Sequence, residues 1–228
     1  MRLFGAHAKA PALPLPVLDG TGRIGFLRHG SPGSSWRTFP VSSTAFGSTQ
    51  AVLKAEQGAP FYTPRLPRTG APMRVRMTNL GPLGWVTDQA QGYRYQATHP
   101  ETGAPWPPIL PALLDLWADL ADYPAAPEAC LVNLYRDGAR MSLHVDADEE
   151  ARAAPVLSVS LGDTALFRIG GEKRGDPTRS FRLSSGDVVV LGGAARHCFH
   201  GVDRVMAETS SLIPGGGRIN LTLRRVRL

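Results

Sequence analysis

The chain has 228 residues, of which 43% are hydrophobic and 19% are charged, which is typical of one globular domain with a substantial core and excludes a disordered polymer. Its formal net charge of +6 suits a phosphate-bearing partner without requiring one. The two cysteines lie outside any C-x-x-C pattern, so we expect no disulfides. We find no apolar run long enough to span a membrane and no secretory signal, so we expect a cytoplasmic protein.

The first part of the chain carries the least structural information. Residues 1–60 are rich in glycine, proline, serine and threonine, so we expect loops and short strands there. The stretch TQAVLKAEQ, residues 49–57, predicts one or two turns of helix. We therefore separate this segment from a domain over residues 61–228, and no internal repeat is visible in either part.

A helix is predicted in the middle of the chain. Residues 73–95 read as strands and turns, and an amphipathic pattern follows. Pro107 and Pro108 suit the first turn of this helix, and Pro124 lies just beyond its end. The apolar positions at helical spacing are Leu110, Leu113, Leu114, Trp117, Leu120 and Ala121.

After this helix the apolar residues recur at every second position, which predicts strands separated by turns rich in glycine and proline. The eight predicted strands cover residues 130–135, 141–146, 155–162, 164–170, 178–183, 187–193, 197–202 and 218–226. So many short strands without an intervening helix indicate a jelly roll (double-stranded β-helix) or a similar double sheet. The fold class is α+β, mainly β, with one supporting helix.

The stretch SLHVDADEE, residues 142–150, places a histidine and a carboxylate one residue apart. In a strand, His144 and Asp146 share one face and Val145 points to the other. An imidazole beside a carboxylate suits a divalent metal. An isolated pair of this kind is more often the polar face of a surface strand, so the interpretation depends on a third ligand.

His200 is the candidate third ligand. Two histidines and one carboxylate on one side of an iron ion leave positions open for a co-substrate and oxygen, as in non-haem Fe(II) oxygenases. His197 lies at an odd spacing from His200, so we expect it on the opposite face, as a structural or surface residue.

The last strand, RINLTLR, alternates polar and apolar residues. Its polar face is either exposed to solvent or lines a pocket in which arginine binds a carboxylate. The spacing alone leaves these two interpretations open. Asn133 and Tyr135, also two residues apart, can complete such a pocket from a neighbouring strand. The residues on the polar face are Arg218, Asn220, Thr222 and Arg224.

Several blocks of the sequence, in this order, resemble the AlkB family of Fe(II)/2-oxoglutarate dioxygenases of the bacterial alkylated-DNA repair type. The blocks NLYRDGARMSLHVDADEE, PVLSVSLGDTALFRIGGEKRGDP, SGDVVVLGGAARHCFHGV and RINLTLRR resemble the jelly-roll core, at about residues 130–226. The block MTNLGPLGWVTDQAQGYRY resembles the family's nucleotide-recognition lid, at about residues 73–96, and ATHPETGAPWPPILPALL the helix that follows.

The resemblance implies cofactors and a site, residue by residue. It implies that iron is bound by His144, Asp146 and His200. It implies that 2-oxoglutarate is held by Asn133, Tyr135, Arg218, Asn220 and Arg224, and it leaves open which arginine takes which carboxylate. The cofactors expected are therefore Fe(II), 2-oxoglutarate as co-substrate, and O2.

The resemblance also implies contacts to a flipped base. Trp85 and Tyr93 lie where the lid packs around the base, although an aromatic side chain is more often simply core. Asp148 matches an acidic residue facing the base and favours a cationic lesion, with a solvated surface charge as the alternative. Arg174 matches a basic residue at the mouth of the substrate site, with an exposed turn as the alternative.

The implied reaction is oxidative dealkylation of bases such as 1-methyladenine and 3-methylcytosine, in single-stranded DNA and also in RNA. We expect a monomer with no membrane association and no obligate protein partner. Two alternatives remain: the same chemistry on a tRNA base or a protein side chain, and a non-catalytic jelly-roll module that binds nucleic acid by charge.

The sequence departs from the family in three places. Residues 1–60 lack the helical pattern of the bacterial enzymes, which puts the outer lid in doubt. Val145 stands where a polar residue is common. The stretch RHCFH carries His197 and Cys198 at positions that are usually aromatic or aliphatic, and Cys198 becomes prone to oxidation if it lines the iron cavity.

Overall fold

The computed structural model describes the backbone of residues 25–27 and all of residues 57–228. The helical turns predicted over residues 49–57 lie outside the described residues, apart from the last position, which is part of a turn. The same applies to most of the loops and short strands expected over residues 1–60. In the part that is described, no helix is long and apolar enough to cross a membrane.

The chain forms twelve strands, one α-helix and one short 3-10 helix in the described residues. The first part contains β1 (Gly25–Leu27), β2 (Arg76–Leu80), β3 (Gly84–Asp88), β4 (Gly92–Gln96) and α1 (Pro111–Leu120). The middle contains β5 (Ala129–Tyr135), β6 (Met141–His144), β7 (Val156–Gly162), β8 (Ala165–Ile169) and β9 (Arg179–Leu183). The last part contains β10 (Val188–Leu191), the 3-10 helix (Gly193–His197), β11 (His200–Val205) and β12 (Arg218–Arg224).

The strands form two main sheets and a separate hairpin. The larger sheet has the order β1-β10-β7-β12-β5-β2, and the smaller sheet has the order β6-β11-β8-β9. β3 and β4 pair only with each other as a hairpin, which we call the lid hairpin. A buried apolar cluster joins the two sheets, since Leu131 and Leu191 of the larger sheet pack in it with Phe167 and Val202 of the smaller one. The predicted jelly roll is confirmed.

Helix α1 covers the outer face of the larger sheet. Leu113, Trp117 and Leu120 are buried in a cluster that includes Val132 and Leu221 of that sheet. The predicted amphipathic helix is therefore confirmed, with two corrections. The first-turn proline is Pro111, and Pro107 and Pro108 precede the helix. Leu114 is 37% exposed, because it lies at the edge of the buried face.

The alternation predicted for RINLTLR holds along the whole of β12. Ile219, Leu221 and Leu223 are completely buried in the cluster beneath the helix. The polar residues between them face the interior between the two sheets, and they are also buried. A buried polar face is costly unless partners or a ligand satisfy it, so the pocket interpretation replaces the solvent one.

Each predicted strand differs from the structure at one end or at both, and four differ by two residues or more. The strand expected over residues 218–226 ends at Arg224. The strand expected over residues 141–146 ends at His144, and the strand expected over 187–193 ends at Leu191. The strand expected over 197–202 begins only at His200 and ends at Val205, because the 3-10 helix extends to His197 and residues 198–199 belong to no element. Gly193 starts that helix with a φ of 56°, a conformation that glycine adopts without steric cost.

The helix and the larger sheet provide a test of the core. Leu221→Ala should lower the free energy of unfolding by about 2–5 kcal/mol, because it removes a completely buried side chain from close packing. Leu114→Ala, at the exposed edge of the helix, should change it by less than about 0.5 kcal/mol. Urea denaturation of both variants measures the difference. Equal losses of unfolding free energy in the two variants would contradict the assignment of Leu221 to the buried core and of Leu114 to its exposed edge.

Candidate active site

The side chains of His144, Asp146 and His200 converge at one end of the smaller sheet. His144 ends β6, His200 begins β11, and the two residues pair directly across these strands. The Nε2 atoms of His144 and His200 lie 3.7 and 3.4 Å from oxygens of the buried Asp146 carboxylate. One ligand atom from each residue lies within 4.8 Å of the other two, a spacing that suits one metal ion. Among residues 57–228, no other group of histidines, cysteines and carboxylates has this spacing.

The hydrogen bonds of both histidines turn the same ring nitrogen towards this centre. The Nδ1 atom of His144 lies 2.9 Å from the Ser142 carbonyl oxygen, and Nδ1 of His200 lies 3.0 Å from that of Cys198. Since a carbonyl only accepts, both Nδ1 atoms carry the proton and both Nε2 atoms keep a free lone pair. Metal-binding histidines in proteins are oriented in this way. Burial also lowers the pKa of His144, which favours the neutral ring that a metal requires.

Asp146 is kept ionised by Arg224. Burial alone raises the pKa of the Asp146 carboxyl, but the adjacent Arg224 guanidinium holds it well below its usual range. The Arg224 Nη2 atom donates to Asp146 Oδ1 over 2.6 Å. A charge-assisted hydrogen bond of this length both neutralises the carboxylate and fixes its orientation. The structure thus brings the predicted metal ligands and one of the predicted co-substrate residues into direct contact.

Val145 differs from the expectation for a strand residue. It was expected on the face opposite His144 and Asp146, but it borders the same cavity as they do. The reason is that β6 ends at His144, so the alternation of side chains no longer applies at the next residue.

The other predicted co-substrate residues come together through strand register. On β5 and β12, Tyr135 pairs with Arg218 and Asn133 pairs with Asn220. The Arg218 guanidinium lies over the Tyr135 ring, with its central carbon 5.5 Å from the ring centroid. Burial raises the pKa of Tyr135 to about 12, so its hydroxyl stays protonated, and it donates to the Met141 sulfur over 3.8 Å. Sequence spacing suggested this neighbourhood, and the register establishes it.

Four buried polar atoms of this group have no hydrogen-bond partner in the described part of the chain. They are Asn133 Oδ1, Arg224 Nε, and the Nε and Nη1 atoms of Arg218. The remaining terminal nitrogen of Arg218 donates to Ser160 Oγ over 2.9 Å. Buried guanidinium donors are costly when unpaired, and carboxylates match their geometry. The residues therefore fit a dicarboxylate held between two arginines.

All of the predicted co-substrate residues except Arg218 border one cavity of about 580 Å³, together with the candidate metal triad. Such a volume falls within the range typical of small-molecule sites. Of the predicted co-substrate residues, Arg218 is absent from the lining, and it contacts Tyr135, which is part of it. The predicted site residues that line the cavity are Trp85, Tyr93, Asn133, Tyr135, His144, Asp146, Asp148, His200, Asn220 and Arg224.

An aromatic pair from the lid hairpin stands at this cavity. The rings of Trp85 and Tyr93 are stacked, with their centroids 5.4 Å apart and an angle of 22° between their planes. The Trp85 Nε1 atom donates to Asp148 Oδ2 over 2.8 Å. Tyr93 is 51% exposed, so a large flat aromatic surface faces the cavity and solvent together. An aromatic surface of this kind suits stacking with a planar ligand.

Three other residues singled out in the sequence lie outside the cavity lining. Arg174 is exposed and stacks on Phe199, with its guanidinium carbon 5.0 Å from the ring centroid. His197 is exposed on the 3-10 helix, in agreement with the surface role expected for it. Cys198 contacts the Ala194 carbonyl oxygen instead of the iron cavity, and burial raises the pKa of its thiol. The condition for its oxidation by the iron centre is therefore not met.

Three further residues around the site were missed in the sequence. Glu149 and Arg196 are buried and form an ion pair of 2.8 Å, and Tyr95 of the lid hairpin contacts Glu149. The sequence offered one weak signal, which is that Glu149 directly follows the predicted site residue Asp148 in an acidic run. A run of this type normally indicates a solvated surface, and only the fold shows that Glu149 points inward.

The chain matches known proteins along most of its length. A family model described as the 2OG-Fe(II) oxygenase superfamily matches residues 38–224. An alpha-ketoglutarate-dependent dioxygenase AlkB homolog of Caulobacter vibrioides is 63% identical over 178 residues, which are 78% of this chain and 80% of the relative. The alpha-ketoglutarate-dependent dioxygenase AlkB of Escherichia coli is 45% identical over 160 residues, which are 68% of this chain and 73% of the relative. Alpha-ketoglutarate is another name for 2-oxoglutarate.

The solved structure of OsALKBH1 superimposes on this chain with a TM-score of 0.69 and 31% sequence identity. The match covers 79% of this chain and 91% of the OsALKBH1 chain. Shorter matches include a DNA N(6)-methyladenine demethylase of Arabidopsis thaliana, which is 39% identical over 43% of this chain and 24% of the relative. A tRNA demethylase of Schizosaccharomyces pombe is 34% identical over 44% of this chain and 37% of the relative. On this identity, extent of match and shared fold, the chain belongs to the AlkB family of the 2OG-Fe(II) oxygenase superfamily.

Proposed function

We propose that this dioxygenase removes alkyl groups from ring nitrogens of nucleic-acid bases by oxidation, with Fe(II), 2-oxoglutarate and O2 as its cofactors. One observation carries the proposal: a single cavity is bordered by the His144–Asp146–His200 triad, by unpaired buried arginine, and by the stacked aromatic pair of the lid hairpin. A metal centre, a dicarboxylate site and a surface for a flat base thus share one space.

In this proposal the two Nε2 atoms and the Asp146 carboxylate would hold Fe(II). The cavity that these residues border would take the co-substrate. When bound, the iron centre supplies the oxidation that converts 2-oxoglutarate to succinate and carbon dioxide and hydroxylates the alkyl carbon. The hydroxylated alkyl group then leaves the base as an aldehyde. The protein holds the alkyl carbon towards the metal and excludes competing reactions.

The contacts of the two arginines support an orientation for 2-oxoglutarate. Arg224 donates to the metal ligand Asp146, so it lies beside the metal centre. Arg218 lies at the other end of β12, and it has two unpaired nitrogens beside Tyr135. We therefore assign the carboxylate next to the iron to Arg224 and the distal carboxylate to Arg218. Asn133, Tyr135 and Asn220 complete the pocket between them.

Asp148 gives the substrate site a preference for a cationic base. Alkylation of N1 of adenine or N3 of cytosine makes the base cationic and blocks pairing, which also lowers the cost of extruding it by a few kcal/mol. The base would stack on Trp85 and Tyr93. The hydrogen bond from Trp85 holds the Asp148 carboxylate at the cavity, where an opposite charge stabilises the cation.

The demethylases named among the relatives act on DNA and on tRNA, and the net charge of +6 suits the phosphates of either. We propose single-stranded DNA as a substrate, with RNA as a further one, because an unpaired base needs no extrusion from a duplex. We place Arg174 near the mouth of the site, where an exposed guanidinium can reach phosphate. Action as a cytoplasmic monomer, in a catalytic domain over residues 61–228, belongs to the same proposal.

The first test measures repair directly. A single-stranded DNA oligonucleotide carrying one 3-methylcytosine is incubated with the protein, Fe(II), 2-oxoglutarate and ascorbate, and its mass is followed. We expect loss of the methyl group with the wild-type protein, and no loss with His144→Ala or without 2-oxoglutarate. Succinate formation without demethylation of this oligonucleotide would reject it as the substrate, and a methylated tRNA assayed in parallel would then test the alternative substrate.

The role of Arg218 can be measured without turnover, using Mn(II) in place of Fe(II). Arg218→Met should weaken 2-oxoglutarate binding by about 10- to 100-fold, because it removes a charge-assisted contact worth about 1.5–3 kcal/mol. Isothermal titration calorimetry measures the dissociation constant. Arg168→Met, which removes an arginine from the smaller sheet outside the cavity lining, serves as the control and should leave it unchanged. Equal binding by both variants would remove Arg218 from the co-substrate site.

The role assigned to Asp148 predicts a change in specificity. Asp148→Asn keeps the shape of the side chain and removes its charge. It should lower kcat/KM for cationic 3-methylcytosine by about tenfold, or about 1.4 kcal/mol, relative to neutral 3-methylthymine. Competition between the two oligonucleotides in one reaction measures this ratio. An unchanged ratio would mean that Asp148 is a solvated surface charge.

A further inference from the structure

A buried carboxylate that is not part of the metal triad lies beside it. Glu149 is 2% exposed and accepts hydrogen bonds from two arginines. Its Oε2 atom accepts from Arg196 Nη2 over 2.8 Å, and its Oε1 atom accepts from Arg224 Nη1, also over 2.8 Å. The hydroxyl of Tyr95 donates to the same Oε1 atom in a short hydrogen bond. A buried charge with this many partners has a fixed position.

Arg196 connects Glu149 to the segment that carries Asp146. Its Nη1 and Nε atoms donate to the main-chain carbonyls of Asp146, over 2.5 Å, and Ala154, over 2.8 Å. Because β6 ends at His144, the backbone at Asp146 has no strand partner to hold it. The Glu149–Arg196 pair thus replaces the sheet as the support of this metal ligand.

Tyr95 brings the lid hairpin into the same network. It lies on β4 and pairs directly with Trp85 on β3. Residues opposite each other in a hairpin project from the same face, so both side chains point to the segment that follows β6. Trp85 donates to Asp148 there, and Tyr95 donates to the adjacent Glu149. Two neighbouring acidic residues therefore anchor the hairpin.

The same network determines the position of Arg224. Its Nη1 atom donates to Glu149 and, over 3.1 Å, to the Tyr95 hydroxyl oxygen, and its Nη2 atom donates to Asp146. Only its Nε atom lacks a partner among the described residues. The guanidinium is thus held on one side by the lid hairpin and on another by a metal ligand, with the Nε edge left for a ligand carboxylate.

We propose that Tyr95 and Glu149 are positioning residues that couple the lid hairpin to Arg224, so that a nucleotide on the hairpin and 2-oxoglutarate at Arg224 strengthen each other's binding. This inference rests on the proposed function, because it takes the hairpin as the nucleotide site and Arg224 as a co-substrate ligand. A hairpin held by a nucleotide fixes Tyr95, and Tyr95 and Glu149 together fix the arginine. Coupling between two binding sites is reciprocal.

The test measures the coupling as a ratio of dissociation constants. Calorimetry with Mn(II) in place of Fe(II) gives the dissociation constant of 2-oxoglutarate without and with a saturating single-stranded oligonucleotide that carries 3-methylcytosine. We expect the oligonucleotide to tighten 2-oxoglutarate binding by at least about fivefold in the wild-type protein. The Tyr95→Phe variant keeps the ring and removes the hydroxyl. In this variant the dissociation constant without oligonucleotide, divided by that with oligonucleotide, should fall to about twofold or less.

Tyr123→Phe is the matched control. It removes a hydroxyl from a tyrosine that packs against the cluster beneath the helix, outside the cavity lining, so it should keep the wild-type ratio. A loss of packing lowers binding both with and without oligonucleotide and leaves their ratio unchanged, so the ratio separates positioning from a merely structural role. If a thermal melt shows that Tyr95→Phe is unfolded, Glu149→Gln is measured against the same criterion.

Each outcome decides one question. If the wild-type protein with Mn(II) does not bind 2-oxoglutarate, the proposed function itself fails. If it binds 2-oxoglutarate and the oligonucleotide changes nothing, the coupling is overturned and the function stands. The coupling is equally overturned if the folded variant retains the wild-type ratio. The inference is supported if the oligonucleotide no longer tightens 2-oxoglutarate binding in Tyr95→Phe but still does so in Tyr123→Phe.

Discussion

The contact between Arg224 and Asp146 joins the two halves of the active site. Asp146 is a buried carboxylate on an irregular segment, and Arg224 is a buried guanidinium on the last strand of the larger sheet. Neither charge is tolerable in the interior alone, because removing an ion from water costs several kcal/mol. Together they connect a residue of the candidate metal triad to the strand that carries three of the predicted co-substrate residues. The distance between the two binding functions is set by this pair.

The charges around this contact are matched in number. Asp146 and Glu149 contribute two buried carboxylates, and Arg196 and Arg224 contribute two buried guanidinium groups that bind them. Arg218 is a third buried guanidinium, and two of its nitrogens have no hydrogen-bond partner among the described residues. The site thus carries one more buried positive charge than these pairs neutralise, which favours an anionic ligand such as 2-oxoglutarate.

The lid hairpin has a double role in this arrangement. One strand places Trp85 at the cavity, and its partner places Tyr93 beside that ring and Tyr95 on Glu149. The hairpin pairs with neither main sheet, so side chains determine how it sits over the site. Its position is therefore tied to Asp148, Glu149 and Arg224 through the side chains of Trp85 and Tyr95. In the proposed function, these contacts link the surface that would take the base to the arginine beside the candidate metal triad.

The fold class, the candidate metal triad and the alternation along β12 were all predicted from the sequence. Alternation of side chains along a strand is a local property, and the His-x-Asp, His and R-x-N-x-T-x-R patterns match a family in order. Tertiary structure alone decided three matters: Val145 borders the cavity because the strand ends early, Cys198 points away from it, and Glu149 turns inward from an acidic run. Strand ends and buried ion pairs depend on contacts between residues distant in sequence, such as Glu149 with Arg224 and Tyr95. No local pattern encodes those contacts, because their energy arises only when the sheets and the hairpin exclude water around them.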